Sequence, residues 1–235
     1  MNISNYQFNT MYRDSYSSLS RPVWSNIQID DCVAYRLKNA VIPLSIPTFD
    51  SRNNIISITE TTGSATTIGI TAGFYDVSTL ASSLENILNA SSLNFTYDVT
   101  YSSLTNKLTI NNTSGNFCFN SVANNSYYEL GIESIGTYTT QQNMSSQIDI
   151  SGVKCINLIS NIGQNEIIGT NKKLLESIVC DESNLDVATY ENHSGEYYQL
   201  DQTNIDTLYV QLEDERGRTI TPNKDFTLSL SFQFE

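Results

Sequence analysis

Basic residues are scarce in this chain: 12 Lys and Arg stand against 25 Asp and Glu, for a formal net charge of −13 over 235 residues. Neutralising a phosphate backbone takes clustered Lys and Arg, and no such cluster occurs, so no direct nucleic-acid contact is expected. The same acidity disfavours adsorption to an anionic membrane surface, and no apolar run approaches the ~18–20 residues that span a bilayer, so no membrane insertion is expected. The opening stretch from Met1 to Asp14 has no basic segment followed by an apolar one. It does not resemble a secretory signal, and folding in a cytosol is the expectation.

Histidine is nearly absent, and His193 alone leaves few general bases near neutral pH. The GxSxG, HExxH, P-loop and GxGxxG patterns are all missing, so no catalytic residue, metal ligand or cofactor site is assigned. Asp30 and Asp31, or Glu213, Asp214 and Glu215, have the oxygen chemistry for glycoside hydrolysis or calcium. Adjacent acids on turns are nevertheless expected to form solvated surface. Cys32, Cys118, Cys155 and Cys180 make no CxxC pair and sit in apolar contexts, which predicts reduced, buried thiols.

What the chain does have is alternation. Ile27, Ile29, Val33, Tyr35 and Leu37 start a run of strands that Pro43 and Pro47 bend or stop. Phe95, Tyr97, Val99 and Tyr101, then Leu108 and Ile110 across a turn, predict a hairpin. Phe226, Leu228, Leu230, Phe232 and Phe234 alternate with Thr, Ser and Gln in the strongest period-2 run, fixing the register of the last strand. One stretch breaks the rule: Val77, Leu80, Ala81, Leu84, Ile87 and Leu88 recur at helical spacing, with Asp76 placed as N-cap. The spacing predicts a helix over 77–88, inserted into an all-β antiparallel jelly-roll sandwich, because a lone amphipathic helix of about three turns must bury its stripe on something else.

Residues 1–24 carry Tyr6, Phe8, Tyr12, Arg13, Tyr16, Arg21 and Trp24 among Ser and Asn, without a sustained period. They are read as an N-terminal arm ahead of a single jelly-roll domain over 25–235. Tyr6, Phe8, Tyr12, Arg13, Tyr16 and Trp24 are the candidate assembly contacts, since aromatics supply contact area at small entropic cost and Arg finds carboxylates. Deleting the arm is expected to leave the domain folded.

The order of motifs adds a resemblance. YRLKNAVIP (Tyr35 to Pro43), Asn53 to Ile58 and the GFY that opens the helix at Gly73 come first. FTYDVTYSSLTNKLTI (Phe95 to Ile110), YYELGI (Tyr127 to Ile132), INLISNI ending at Ile162, LYVQLEDERGRTI (Leu208 to Ile220) and FTLSLSF (Phe226 to Phe232) follow. In this order they resemble the single jelly-roll penton or minor capsid proteins of the adenovirus-like double-stranded DNA virus lineage, including virophages and polintons. The chain departs from that pattern at Ile132, where an aromatic is expected, and at Arg216-Gly217-Arg218, which is not an integrin-type RGD. The resemblance implies a structural, non-enzymatic capsid protein without cofactors, located in the virion and assembled in the host cytoplasm. It implies a homopentamer at the fivefold vertex, with the major capsid protein and other minor capsid proteins as partners. A carbohydrate-binding β-sandwich such as a fibre head or lectin, or another minor capsid or cement protein of the same particle, remains open on the residues alone.

Overall fold

The computed structural model describes residues 2–43, 46–61, 63–144, 146–163, 165–166, 172–180 and 187–235. The first segment gives β1 (Asn2–Asn9), β2 (Val23–Ile29) and β3 (Cys32–Pro43). The middle gives β4 (Ile55–Glu60), β5 (Thr66–Gly69), α1 (Val77–Ala90), β6 (Tyr97–Ser102), β7 (Lys107–Asn112), β8 (Phe117–Phe119), α2 (Tyr127–Leu130) and β9 (Gln141–Asn143). The last gives β10 (Cys155–Ser160), β11 (Asn165–Glu166), β12 (Lys173–Val179), β13 (Val187–Glu191), β14 (Tyr198–Gln199), β15 (Ile205–Glu213) and β16 (Thr227–Phe234). The protein is mostly β, as its period-2 runs predict, and every strand pairing described is antiparallel.

The chain forms two compact units. One holds Met1–Ile46 and Val153–Glu235, the other Pro47–Gly152. In the first unit one sheet runs β1-β16-β3-β13, with β14 also on β3, and the other runs β11-β12-β10-β15-β2. If its eight principal strands are counted along the chain, the sheets read 1-8-3-6 and 5-4-7-2, which is the double Greek key of a jelly roll. The inner faces share one core: Leu37, Ala40, Leu228, Leu230 and Phe232 from one sheet meet Ile156, Leu158, Ile178, Leu208, Val210 and Leu212 from the other. The alternation of β16 fixes its register, since a slip by one residue would turn Leu228, Leu230 and Phe232 to water.

The second unit has its own core. Its sheets run β5-β4-β8 and β6-β7-β9, and Leu80, Ala81, Leu84 and Leu88 of α1 are buried with Ile56, Ile58, Val99, Ile110, Phe117 and Phe119. The helix starts where predicted because Asp76 and Thr79 form a capping box: Thr79 N donates to Asp76 Oδ1 at 2.8 Å and Asp76 N to Thr79 Oγ1 at 3.1 Å. It runs two residues past the predicted end at Leu88, within the fraying expected of helix termini. Side chains of α1 also seal the edge of β6, as Tyr97 N donates to Asn89 Oδ1, Asn89 Nδ2 to Tyr97 O, and Val99 N to Glu85 Oε2.

Three expectations change. Residues 2–9 are not a free arm but the first strand of the jelly roll, paired along its whole length with β16. The segment 25–235, predicted as one domain, contains most of the jelly roll and also a second compact unit with a separate buried cluster, so the insertion is far larger than one helix. Glu213 and Asp214, predicted as solvated, are buried at 1% and 0% exposure. Their carboxylates are matched: Lys172 Nζ lies 2.7 Å from Glu213, while Asp214 accepts from Arg216 N, Arg218 N and Arg218 Nε. A buried charge persists only when it is paired in this way.

Candidate assembly surface

The six candidate contacts divide by burial. Tyr6 and Phe8 sit on β1 opposite Leu230 and Leu228 and point into the sandwich. Tyr6 is half-buried, edge-on to Phe232 with centroids 5.6 Å apart, and Phe8 is buried edge-on to Trp24 at 5.3 Å. Trp24, on β2, is buried as well, and its indole Nε1 donates to Asn9 O at 3.2 Å, as a buried indole N–H requires. These three are core residues of the first unit, so the structure does not bring all six together as a surface.

Tyr12, Arg13 and Tyr16 belong to the connection from β1 to β2. Tyr12 and Tyr16 are 77% and 75% exposed, and Met11 beside them is 64% exposed. Arg13 is tethered, Nη1 donating to Thr10 O at 2.7 Å and lying 3.4 Å from Asp225 Oδ1. Asp14 organises the rest of the connection: its N–H donates to Val23 O, and its carboxylate accepts from Ser25 N, Ser25 Oγ and Tyr16 OH. The Ser25 hydroxyl first, and the Tyr16 hydroxyl second, hold the Asp14 carboxyl below its ordinary range. Arg21 lies over the Tyr209 ring at 4.4 Å. The result is a pinned connection that presents Met11, Tyr12 and Tyr16 to solvent. Sequence reading found the two tyrosines and missed Met11, whose exposure no periodicity signals.

Four of the motifs fall at turning points of the fold. Pro43 ends β3. Gly73 bridges Phe49 through two backbone bonds before α1, and Tyr75 packs edge-on to Phe49 at 5.4 Å. YYELGI is α2 closed by Gly131 at φ 73°, where an added Cβ would strike the carbonyl of Ser146. Asp214 and Arg218 close the turn after β15.

Among the described residues, no group of His, Cys, Asp and Glu could hold a metal ion, and no helix is long and apolar enough to cross a membrane. Of the four cysteines, Cys32 and Cys118 are buried and Cys155 and Cys180 half-buried.

The fold and this surface define an antiparallel jelly roll with a large insertion between its third and fourth principal strands. Among solved structures, the chain is similar to the selenomethionine-labelled mavirus penton protein, at 14% sequence identity and a TM-score of 0.47, with 98% of each chain covered. No protein-family model and no curated protein matches the chain.

Proposed function

We propose that this chain is a structural capsid protein of the penton type, closing the fivefold vertices of an icosahedral virus particle as a homopentamer. Its partners are then other copies of itself, the major capsid protein and other minor capsid proteins, and its work is assembly rather than catalysis. The observation that carries the reading is the ordered set of penton-like motifs, four of which are seated at structural corners: the end of β3, the entry to α1, the Gly131 turn and the Asp214 turn. The surface that supports the assembly role is the exposed trio Met11, Tyr12 and Tyr16, held by Asp14 and Arg13. Exposed aromatics backed by a fixed loop suit a contact that buries them at small entropic cost.

The deciding experiment is a density map of the particle at the vertex. The chain is expected at all fivefold positions and nowhere else, and its detection at another position overturns the assignment. The exposed Tyr12 and Tyr16 also favour one rival, a carbohydrate-binding sandwich in which the rings form a sugar platform. Saturable binding on a glycan array that is lost on Tyr12→Ala and Tyr16→Ala supports that rival.

A further inference from the structure

A sheet edge is a row of unpaired N–H and C=O groups, and folded proteins shorten, bend, charge or cover such rows. This protein does so at nearly every edge described. β11, β8, β9 and β5 are two, three, three and four residues long. β13 has five residues and ends in Glu191. β6 is sealed by Asn89 and Glu85 of α1. β2 is bent by positive φ at Asn26 and Gln28 and closed near Val23 and Ser25 by Asp14.

β1 is protected far less. It is eight residues long, its pairing with β16 has no register shift, and it contains no Asp, Glu, Lys, Arg or Pro. The direction of its free groups follows from its ends: Thr10 N donates to Phe226 O, so even positions bond to β16 and odd positions face outward. Asn9 O, facing outward, is taken by the Trp24 indole. Ile3, Asn5 and Gln7 therefore present outward N–H and C=O groups along a straight, neutral, exposed edge. Just past its Asn2 end, where Asn2 pairs with Phe234 and Glu235 N bonds Asp31 O, stand the exposed acids Asp30, Asp31 and Glu235. None of the three makes an ion pair among the described residues.

We infer that the outer edge of β1 is a strand-addition site for an extended, basic peptide segment of another protein, pairing with the backbone of Ile3, Asn5 and Gln7 and placing its cations against Asp30, Asp31 and Glu235. Main-chain pairing supplies affinity and the acids supply direction, because the acids at the Asn2 end have no ion-pair partner among the described residues, whereas at the Asn9 end Asp225 is already paired with Arg13. A second copy of this chain is a poor occupant, since it brings another −13 to the same acidic field. The inference stands apart from the vertex reading and needs no fivefold ring.

The test titrates the full chain against fluorescein-labelled Lys-Lys-Thr-Val-Thr-Val-Thr, with Glu-Glu-Thr-Val-Thr-Val-Thr as counterpart, by anisotropy. Saturable binding of the lysine peptide is expected, about tenfold tighter than its counterpart, with the preference shrinking as salt rises. Amide exchange should slow at Ile3, Asn5 and Gln7, and not at Ser4 and Tyr6, which already bond to β16. Gln7→Pro removes an outward N–H without touching the β16 ladder, and Gln7 is exposed, whereas Asn5 Oδ1 accepts from the buried Ser231 hydroxyl, so binding should fall about tenfold with the unfolding midpoint kept. Asp30→Asn with Asp31→Asn should shrink the lysine preference. Absence of saturable binding, equal binding of both peptides, or protection that avoids the three odd amides overturns the inference. The exchange pattern of the unmodified chain decides the matter if Gln7→Pro does not fold.

Discussion

The ring of Phe8 meets that of Trp24 edge-on, with centroids 5.3 Å apart and planes at 62°, joining the first strand of one sheet to the first strand of the other. Both are buried, at 5% and 6% exposure. Phe8→Ala or Trp24→Ala is expected to cost about 3–5 kcal/mol of the first unit's stability. The double variant should cost less than the sum by about 0.5–1.5 kcal/mol, because the edge-to-face contact is lost only once. Urea unfolding of the four proteins measures both quantities.

Deleting residues 1–24 removes β1 together with Phe8 and Trp24, leaving β16 as a new exposed edge. The truncated chain is expected to unfold or aggregate, contrary to what an arm-like reading of those residues predicts. A cooperative unfolding transition with an unchanged midpoint in the truncated protein would refute this. By contrast, Tyr12→Ala and Tyr16→Ala should change stability by no more than about 0.5 kcal/mol, because both rings are exposed, while lowering incorporation into shells.

Leu84 is fully buried on α1. Leu84→Asp places an unpaired carboxylate in the core of the second unit at a cost of several kcal/mol, against a typical domain stability of about 5–15 kcal/mol. The expected result is loss of the second unit's cooperative transition in calorimetry. Leu84→Met, which conserves volume, should cost less than about 1.5 kcal/mol.

Glu60 is buried at 2% exposure and accepts from Asn94 N, Asn94 Nδ2, Phe95 N and Tyr97 OH. Burial alone would raise its pKa, but these four bonds outweigh it and hold the carboxyl below the usual 4.5. A depressed carboxyl stabilises the fold fully above its unfolded pKa and loses that contribution as pH falls through the lower folded value. The second unit should therefore lose stability progressively below about pH 4.5. Glu60→Gln, which turns an amide donor towards these donors, should cost about 1–3 kcal/mol at pH 7 and flatten the acid slope. Urea midpoints of the two proteins between pH 3 and pH 7 check the sign.

If the chain closes vertices as a pentamer, each added copy brings −13 of charge. Self-association should then be weak at low salt and strengthen as the Debye length falls to about 8–10 Å. Sedimentation across a salt series reads this directly, and association that weakens with salt would point to ion-paired contacts instead.

The sequence was most legible where one period runs long with a clear cap or turn. The α1 stripe with Asp76 and the alternation of β16 are both found where the residues place them. The hairpin of β6 and β7 falls within two residues of its predicted span. β1 was illegible for a physical reason: only Tyr6 and Phe8 face the core, and the four residues Asn2, Ile3, Ser4 and Asn5 are exposed on both faces, so no alternation is written there. Asp214 misled in the opposite sense. Its charge reads as surface, and only the fold reveals that Arg218 and two backbone N–H groups receive it. Of the candidate contacts, the aromatic type was readable, but whether an aromatic faces a core or solvent depends on partners some 200 residues away, as with Tyr6 and Leu230.

That remoteness also sets an order of events during synthesis. Phe226 N bonds Thr10 Oγ1 across 216 positions, and β16 lies between β1 and β3. Two strands made early wait, unpaired with each other, for the last one to fill the gap between them. The segment Pro47–Gly152 has no such dependence, since its strands pair among themselves and α1 caps one of their edges. It can be folded on the ribosome while the jelly roll is still incomplete, and chaperone occupancy should concentrate on the first forty-odd residues until β16 emerges.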